Sequence, residues 1–317
     1  MNAPTKTAHR PLWRMVAMIL ISLAFVGWCV WHLDWSTLWQ SGARLGAGQW
    51  LVLSLGLWAT YGIRAWRLQQ EFEGRVALSL GAWLRISLIH NTLVNWLPFR
   101  AGEAAFPVML KREAQVPLSD SLSSLFWLRF QDAVVLVGLS LLFWPGWSST
   151  QRWVWGAGVL IVVWALPHVL RWAQAKSQGL AASATSAPRW VAWRQALLSE
   201  HRHSLRIWGL TLLNWMLKLA VQCVLLSWLL DGNWTTAWLG AVGAEWAVFL
   251  PLQGWAGLGT YEAGAAAAMR FEGLDWTLGL QLALVMHAWV LLNATLAGAL
   301  AGLVTVRSSL RNDSSAS

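Results

Sequence analysis

Two breaks in otherwise apolar sequence carry the residues whose types and spacing could do chemistry. The first reads Leu97-Pro98-Phe99-Arg100-Ala101-Gly102-Glu103-Ala104-Ala105. Arg100 and Glu103 flank Gly102 there, and carrying charge to membrane depth costs several kcal/mol unless it is paired or wetted. A phosphate-bearing headgroup is one reason to accept that cost. Arg100 would hold the phosphate through charge-assisted hydrogen bonds, and Glu103 would orient it or exchange a proton. The competing reading is a local ion pair that closes the chain reversal. Downstream, Arg129 and Asp132 stand three apart, so on a helix they share a face and can pair. The same face could point at the first break and line its cavity.

The second break begins at Leu250-Pro251 and resumes at Gly257-Leu258-Gly259-Thr260-Tyr261-Glu262-Ala263. No strand precedes these glycines and the third glycine of a dinucleotide fingerprint is missing, which argues against a nucleotide loop. They fit instead a backbone that turns sharply and approaches a neighbour or a headgroup closely, with Tyr261 and Glu262 opening the returning helix. An acid at a helix start also suits the helix dipole without any ligand. Glu245 and Lys218 are isolated charges within apolar segments, a placement that favours lining a pathway over facing lipid. His201 and His203 lack cysteines or a third ligand at metal spacing, and Cys29 and Cys223 fall inside apolar spans as packing residues. No metal or cofactor is expected.

The elements that position these residues follow from composition. The chain is 57% hydrophobic and only 12% charged, with a mean hydropathy of +0.47, a balance that suits lipid rather than water. Its net charge of +9 sits in basic residues between apolar runs, the pattern of positive loops in a membrane protein rather than of a nucleic-acid surface. Six runs are long enough for full spans: Trp13 to Leu33, Gln49 to Ile63, Leu122 to Trp144, Trp153 to Leu170, Ile207 to Leu230 and Leu278 to Val304, the second somewhat short. Residues 1–12 and 305–317 are then tails around a single transmembrane domain over 13–304. The basic segment 171–206, and the loop carrying Arg64, Arg67 and Arg75, fall on the cytoplasmic side with both termini, in a bacterial-type plasma (inner) membrane. Many of the 28 tryptophans fall at span ends, where the ring anchors in the headgroup layer.

Counting crossings from those endpoints leaves Gly81 to Met109 starting and ending inside, and Ala237 to Met269 starting and ending outside. Each is therefore expected to be a re-entrant helical hairpin, the alternative being one crossing apiece. Both break at Leu-Pro and resume near Glu-Ala. The expected fold is thus an all-α polytopic membrane protein of about six full spans plus two re-entrant hairpins in an inverted repeat, the arrangement with which many transporters build a midplane site.

At these hairpins the chain resembles the lysylphosphatidylglycerol synthase transmembrane region family, also called flippase-like membrane proteins. The matching features are Asn95 to Leu110 with its Leu-Pro-Phe-Arg-Ala-Gly-Glu core, Arg129 with Asp132, and Pro251 through Gly257-Leu258-Gly259-Thr260-Tyr261-Glu262-Ala263. Relatives carry a basic residue shortly after the Gly-Glu pair, where this chain has Phe106 and Pro107. The full synthases add a soluble aminoacyl-transfer domain, for which the sequence after Val304 has no room, so the resemblance does not imply an aminoacyl transferase. It implies the membrane half's role, moving a polar lipid between leaflets, with a phospholipid or polyprenyl-linked lipid as partner and Arg100, Gly102, Glu103, Arg129, Asp132, Glu245, Gly257, Gly259, Tyr261 and Glu262 at the site. Two other readings stand beside it: a membrane enzyme acting on a phospholipid or polyprenyl phosphate, though neither a Ser-His pair nor a metal-binding acid cluster is visible, and a scaffold for a lipid-modifying or glycosyl-transferring membrane enzyme.

Overall fold

The computed structural model describes residues 12–32, 34–181, 204–250 and 253–315. Within them all regular structure is helical: α1 (Leu12–His32), α2 (Trp35–Ala43), α3 (Ala47–Glu71), α4 (Leu80–Trp96), α5 (Ala105–Ala114), α6 (Leu118–Leu142), α7 (Ser149–Ala181), α8 (Leu205–Leu229), α9 (Trp234–Ala247), α10 (Thr260–Met269) and α11 (Trp276–Ser315), with short 3-10 turns at Pro98–Ala104, Trp255–Gly257 and Arg270–Glu272. Four helices are long and apolar enough to cross a membrane, over Met15–His32, Leu118–Leu142, Leu205–Leu229 and Trp276–Val304. Trp31 and Trp153 are 85% and 77% exposed, as rings that face lipid or headgroups should be.

Three boundaries differ from the sequence expectation. The span expected to end at Ile63 continues as helix to Glu71, so Arg64 and Arg67 lie in α3 rather than in a loop. The reason is a stripe at helical spacing, Leu53, Leu57, Thr60, Arg64, Arg67 and Glu71, which turns from apolar to polar without losing its period. Helix α7 likewise continues through Arg171 to Ala181, and α11 runs past Val304 to Ser315. The remainder of the basic segment, with His201 and His203, lies outside the described residues.

Both ambiguous segments fold back on themselves. In the first, Gly102 packs on the backbone of Leu93, the His90 ring meets Phe106 at 5.3 Å between centroids, and Arg85 pairs with Glu113. These nested pairs define an antiparallel hairpin of α4 with the 3-10 turn and α5. Glycine is required at 102 because a Cβ there would sit 2.2 Å from the Leu93 carbonyl carbon. Pro98 starts the turn, where its fixed φ and missing N–H cost little.

The second hairpin pairs α9 with α10. Gly243 and Gly264 face one another, and Gly243-x-x-x-Ala247 against Gly264-x-x-x-Ala268 is the small-residue pattern that lets membrane helices approach closely. A Cβ on Gly243 would lie 2.4 Å from the Gly264 carbonyl oxygen. Gly243→Val should therefore spread the hairpin and lower the thermal stability of purified protein by roughly 1–3 kcal/mol; unchanged unfolding would refute this packing.

The halves interlock. Helix α3 packs on α8, with Gly56 against Val221, and α4 packs on α11, where Thr92 Oγ1 donates to the Ala294 carbonyl at 2.7 Å and Trp96 Nε1 to Thr295 Oγ1 at 2.8 Å. The two breaks also meet. Trp255 Nε1 in the second donates to the Trp96 carbonyl at the end of α4, at 2.8 Å, and the Trp255 N–H donates to Ser22 Oγ of α1, at 2.7 Å.

Candidate functional site

Between the two hairpins lies a cavity of about 120 Å³, walled by α3, α4, α6, α8, α9, α10 and α11 and by the second break. That is room for several waters at about 30 Å³ each. Two groups of charges border it, one from each half of the chain.

Asp132 on α6 is the centre of the first group. Its Oδ1 accepts from Arg67 Nη1 at 2.6 Å and from Trp215 Nε1 of α8 at 3.1 Å. The other Arg67 terminal nitrogen is held by the Leu128 carbonyl at 3.0 Å and Gln131 Oε1 at 2.8 Å, and Arg67 is only 3% exposed. Arg129 lies 3.6 Å from Asp132 Oδ2 along the same face, as the spacing of three predicts, and its Nε lies 3.2 Å from Glu103 Oε1. The Arg129–Asp132 face thus points at the first break, and the acid of Gly102-Glu103 engages α6. Arg100 lies in the 3-10 turn Pro98–Ala104, and its side chain falls outside what is described.

The second group is centred on Glu245 of α9, 2% exposed. Lys218 Nζ donates to its Oε2 at 2.6 Å, and Gln222 Nε2 to its Oε1 at 2.7 Å. Gln222 Nε2 also donates to the Tyr261 hydroxyl at 3.0 Å, bringing the start of α10 to the same carboxylate. Glu245 and Lys218, which read as isolated charges in sequence, are in fact an ion pair between helices. Trp215 joins the two groups: its N–H binds Asp132 while the Lys218 ammonium lies 5.2 Å from its ring centroid. Trp215, Lys218 and Gln222 share one face of α8 because they are spaced by three and four.

Gly257 and Gly259 have φ of 81° and 83°, in the region that favours glycine, and Gly259 sits against Phe25 of α1. Both allow the sharp turn and close approach read from sequence. Glu262 stands apart from the cavity lining, 0% exposed. Its Oε2 accepts the Gly259 N–H at 2.8 Å, and its Oε1 lies 2.6 Å from His287 Nδ1. The His287 ring in turn stacks on Tyr261 at 4.3 Å between centroids. Glu262 is thus a capping residue that fixes the His287 and Tyr261 rings. Glu262→Gln should lower thermal stability by about 1–3 kcal/mol, the cost of weakening buried charged hydrogen bonds; equal melting of variant and wild type would contradict the capping role.

Among known proteins, residues 15–298 match the family described as the lysylphosphatidylglycerol synthase TM region. The chain belongs to that family. The match takes in both hairpins and every residue of the cavity wall. Family membership and the apolar helices together make it a multi-pass membrane protein, and the family is consistent with a lipid-related role. No curated protein and no solved structure matches the chain.

In this member of the synthase TM region family, the structure gathers Glu103, Arg129, Asp132, Glu245, Gly257 and Tyr261 at or beside one cavity, and leaves Gly102, Gly259 and Glu262 as the residues that shape its walls. It adds Arg64, Arg67, His90 and Trp215, none of which the motifs single out. Arg64 and Arg67 were hidden by clustering with Arg75, which reads as a basic loop. Only Arg75 lies beyond the helix, paired with Asp120 at 2.8 Å.

Proposed function

We propose that this synthase TM region protein moves an anionic lipid, or the headgroup of a lipid-linked sugar, from one leaflet to the other. The observation that carries the proposal is the position of the ionic groups. Charges from both halves meet around one cavity with room for several waters, between two hairpins whose breaks touch through Trp255 and Trp96. An apolar bilayer core strongly resists a charged headgroup, so a path across it needs polar groups at depth that are themselves paired until the headgroup arrives.

The lengths of the limbs support re-entrant hairpins. Helices α5 and α10 have 10 residues each, roughly 15 Å of rise against a hydrocarbon core of about 30 Å. The order span, hairpin, span recurs as α3, α4–α5, α6 and as α8, α9–α10, α11, and the two leading spans, α3 and α8, pack on each other. In an inverted repeat the two hairpins enter from opposite sides, and rocking of one half on the other exposes the cavity to each leaflet in turn. Both termini then lie in the cytoplasm of a bacterial-type inner membrane. Moving the lipid requires no bond to break, so the protein acts as a transporter rather than as an enzyme.

The test is to reconstitute the purified chain with labelled anionic phospholipid and with polyprenyl-linked sugar, and to analyse both leaflet and chemistry. Lipid that changes leaflet and is recovered unaltered supports transport. Phosphate release from a lipid pyrophosphate, abolished by Glu103→Gln, would replace it with the enzyme reading.

A further inference from the structure

We infer that Arg64 is the headgroup-binding cation of this cavity, and that the lipid it selects carries the single charge of a phosphodiester. The inference rests on the transport reading above and names its substrate class. It begins with the unequal pairing of the cations. Arg67 and Arg129 engage Asp132 and Glu103, and Lys218 engages Glu245. The Arg64 guanidinium, which lines the same cavity, makes one hydrogen bond among the described residues, from Nη1 to the neutral Asn91 Oδ1 at 2.9 Å. A guanidinium has five N–H donors, so most of its capacity is uncommitted.

The charges around the cavity lead to the same residue. Among the described lining residues three cations, Arg64, Arg129 and Lys218, face two carboxylates, Asp132 and Glu245. The adjoining Arg67 and Glu103 cancel, and the buried Glu262 is counted as neutralised by His287 of the lining, 2.6 Å away. One positive charge is left over, and the geometry places it on Arg64, whose nearest bonded partner is an amide rather than a carboxylate.

The wall beside Arg64 is built from further polar groups. Asn91 gives its oxygen to Arg64 and its side chain also hydrogen-bonds Tyr61, which leaves one amide N–H for another acceptor, and Asn95 lines the cavity one turn on. His90, also in the lining, has a buried Nε2 with no hydrogen-bond partner. Buried polar atoms of native proteins are nearly always satisfied, so an orphaned ring nitrogen in a polar cavity marks a place for a ligand or water. With its proton on Nε2, the imidazole donates there. Arg64, His90, Asn91 and Asn95 then form a set of donors suited to one phosphate's oxygens.

Charge matching selects the class. A phosphodiester brings one negative charge and neutralises the surplus. A phosphomonoester brings up to about two and leaves one uncompensated at low dielectric, and a zwitterionic headgroup brings none net. The phosphate is held at Arg64, inside the cavity, rather than at the Arg100 tip.

The experiment measures equilibrium binding of phosphatidylglycerol, phosphatidic acid and phosphatidylcholine, of matched acyl chains, to the full chain in detergent. The wild type is compared with Arg64→Gln and Arg64→Lys. The wild type should bind phosphatidylglycerol at least about tenfold more tightly than either other lipid. Arg64→Gln should lose that preference, and its thermal unfolding in detergent, followed separately by tryptophan fluorescence, reports that it is folded. Arg64→Lys should keep the preference with weaker binding, because the charge remains and the planar fork does not. A preference that survives in Arg64→Gln, or phosphatidic acid bound as tightly as phosphatidylglycerol, would overturn the assignment. Full displacement of phosphatidylglycerol by millimolar dimethyl phosphate would reassign the site to a soluble phosphodiester and overturn the lipid. The two readings fail separately. The predicted preference without leaflet transfer would refute transport and leave Arg64 in place, whereas transfer undiminished in Arg64→Gln would refute Arg64 alone.

Discussion

Replacing Asp132 by alanine should destabilise the folded protein by about 3–5 kcal/mol, the cost of leaving a buried charge without its partner. Asp132 holds Arg67 at 2.6 Å and the Trp215 indole at 3.1 Å, with Arg129 at 3.6 Å, so its loss strands three donors in one step. Arg67 has no route to water, since α3 carries it into the packing of α6. Asp132→Asn should cost less, because an acceptor remains. Arg67→Leu combined with Asp132→Leu should recover part of the loss, because neither buried charge is then left behind. Thermal unfolding in detergent, followed by tryptophan fluorescence, measures all three. A single variant within about 0.5 kcal/mol of wild type would mean the pair is solvated and not a structural centre, since surface pairs contribute that little.

Tethering the two breaks should abolish lipid movement. Trp255 and Trp96 touch through an indole N–H and a backbone carbonyl, so these positions mark where the second hairpin meets the end of α4. Cysteines at 96 and 255, in a chain with Cys29 and Cys223 replaced by alanine, are to be joined by a reducible bis-thiol linker. A linker is needed because the long indole spans a gap that a direct disulfide, limited to about 7 Å between Cα atoms, need not close. The tethered protein in proteoliposomes should move labelled anionic lipid no faster than empty vesicles, and reduction should restore the untethered rate. Full movement with the tether in place would mean that the breaks do not separate during the cycle, and alternation of the hairpins would be wrong.

Hydropathy located, among its six expected spans, the four helices that are long and apolar enough to cross a membrane, because a long run of Leu, Val and Trp is already a statement about solvent. The breaks were legible too: a Leu-Pro break followed by Gly and Glu-Ala cannot continue an apolar helix, and the chain turns at both. What hydropathy could not place was the end of α3. Once a buried stripe turns polar, clustered arginines look like a positive loop, and only the unbroken spacing from Leu53 through Glu71 signals that the helix goes on. Arg129 and Asp132 could be paired from their spacing, whereas Lys218 with Glu245, 27 residues apart, and Trp215 with Asp132, 83 apart, required the packing of α8 on its neighbours. The small-residue contact of Gly243 with Gly264 was present as a pattern in both limbs, but nothing in one chain says which helices such patterns join. Glu262, a conspicuous acid in the most specific motif, caps its own helix, the alternative that its place at a helix start already offered.

The measurement that bears most directly on the central claim is the rate at which labelled phosphatidylglycerol changes leaflet in proteoliposomes holding the wild-type chain, compared with empty vesicles of the same lipid. A protein that carries lipid past the cavity between its hairpins gives a rate well above the empty vesicles, rising in proportion to the number of protein copies per vesicle. A rate equal to that of empty vesicles, with the protein folded and inserted, would contradict transport and leave the ion-paired cavity as a structural core or a docking platform for a membrane enzyme.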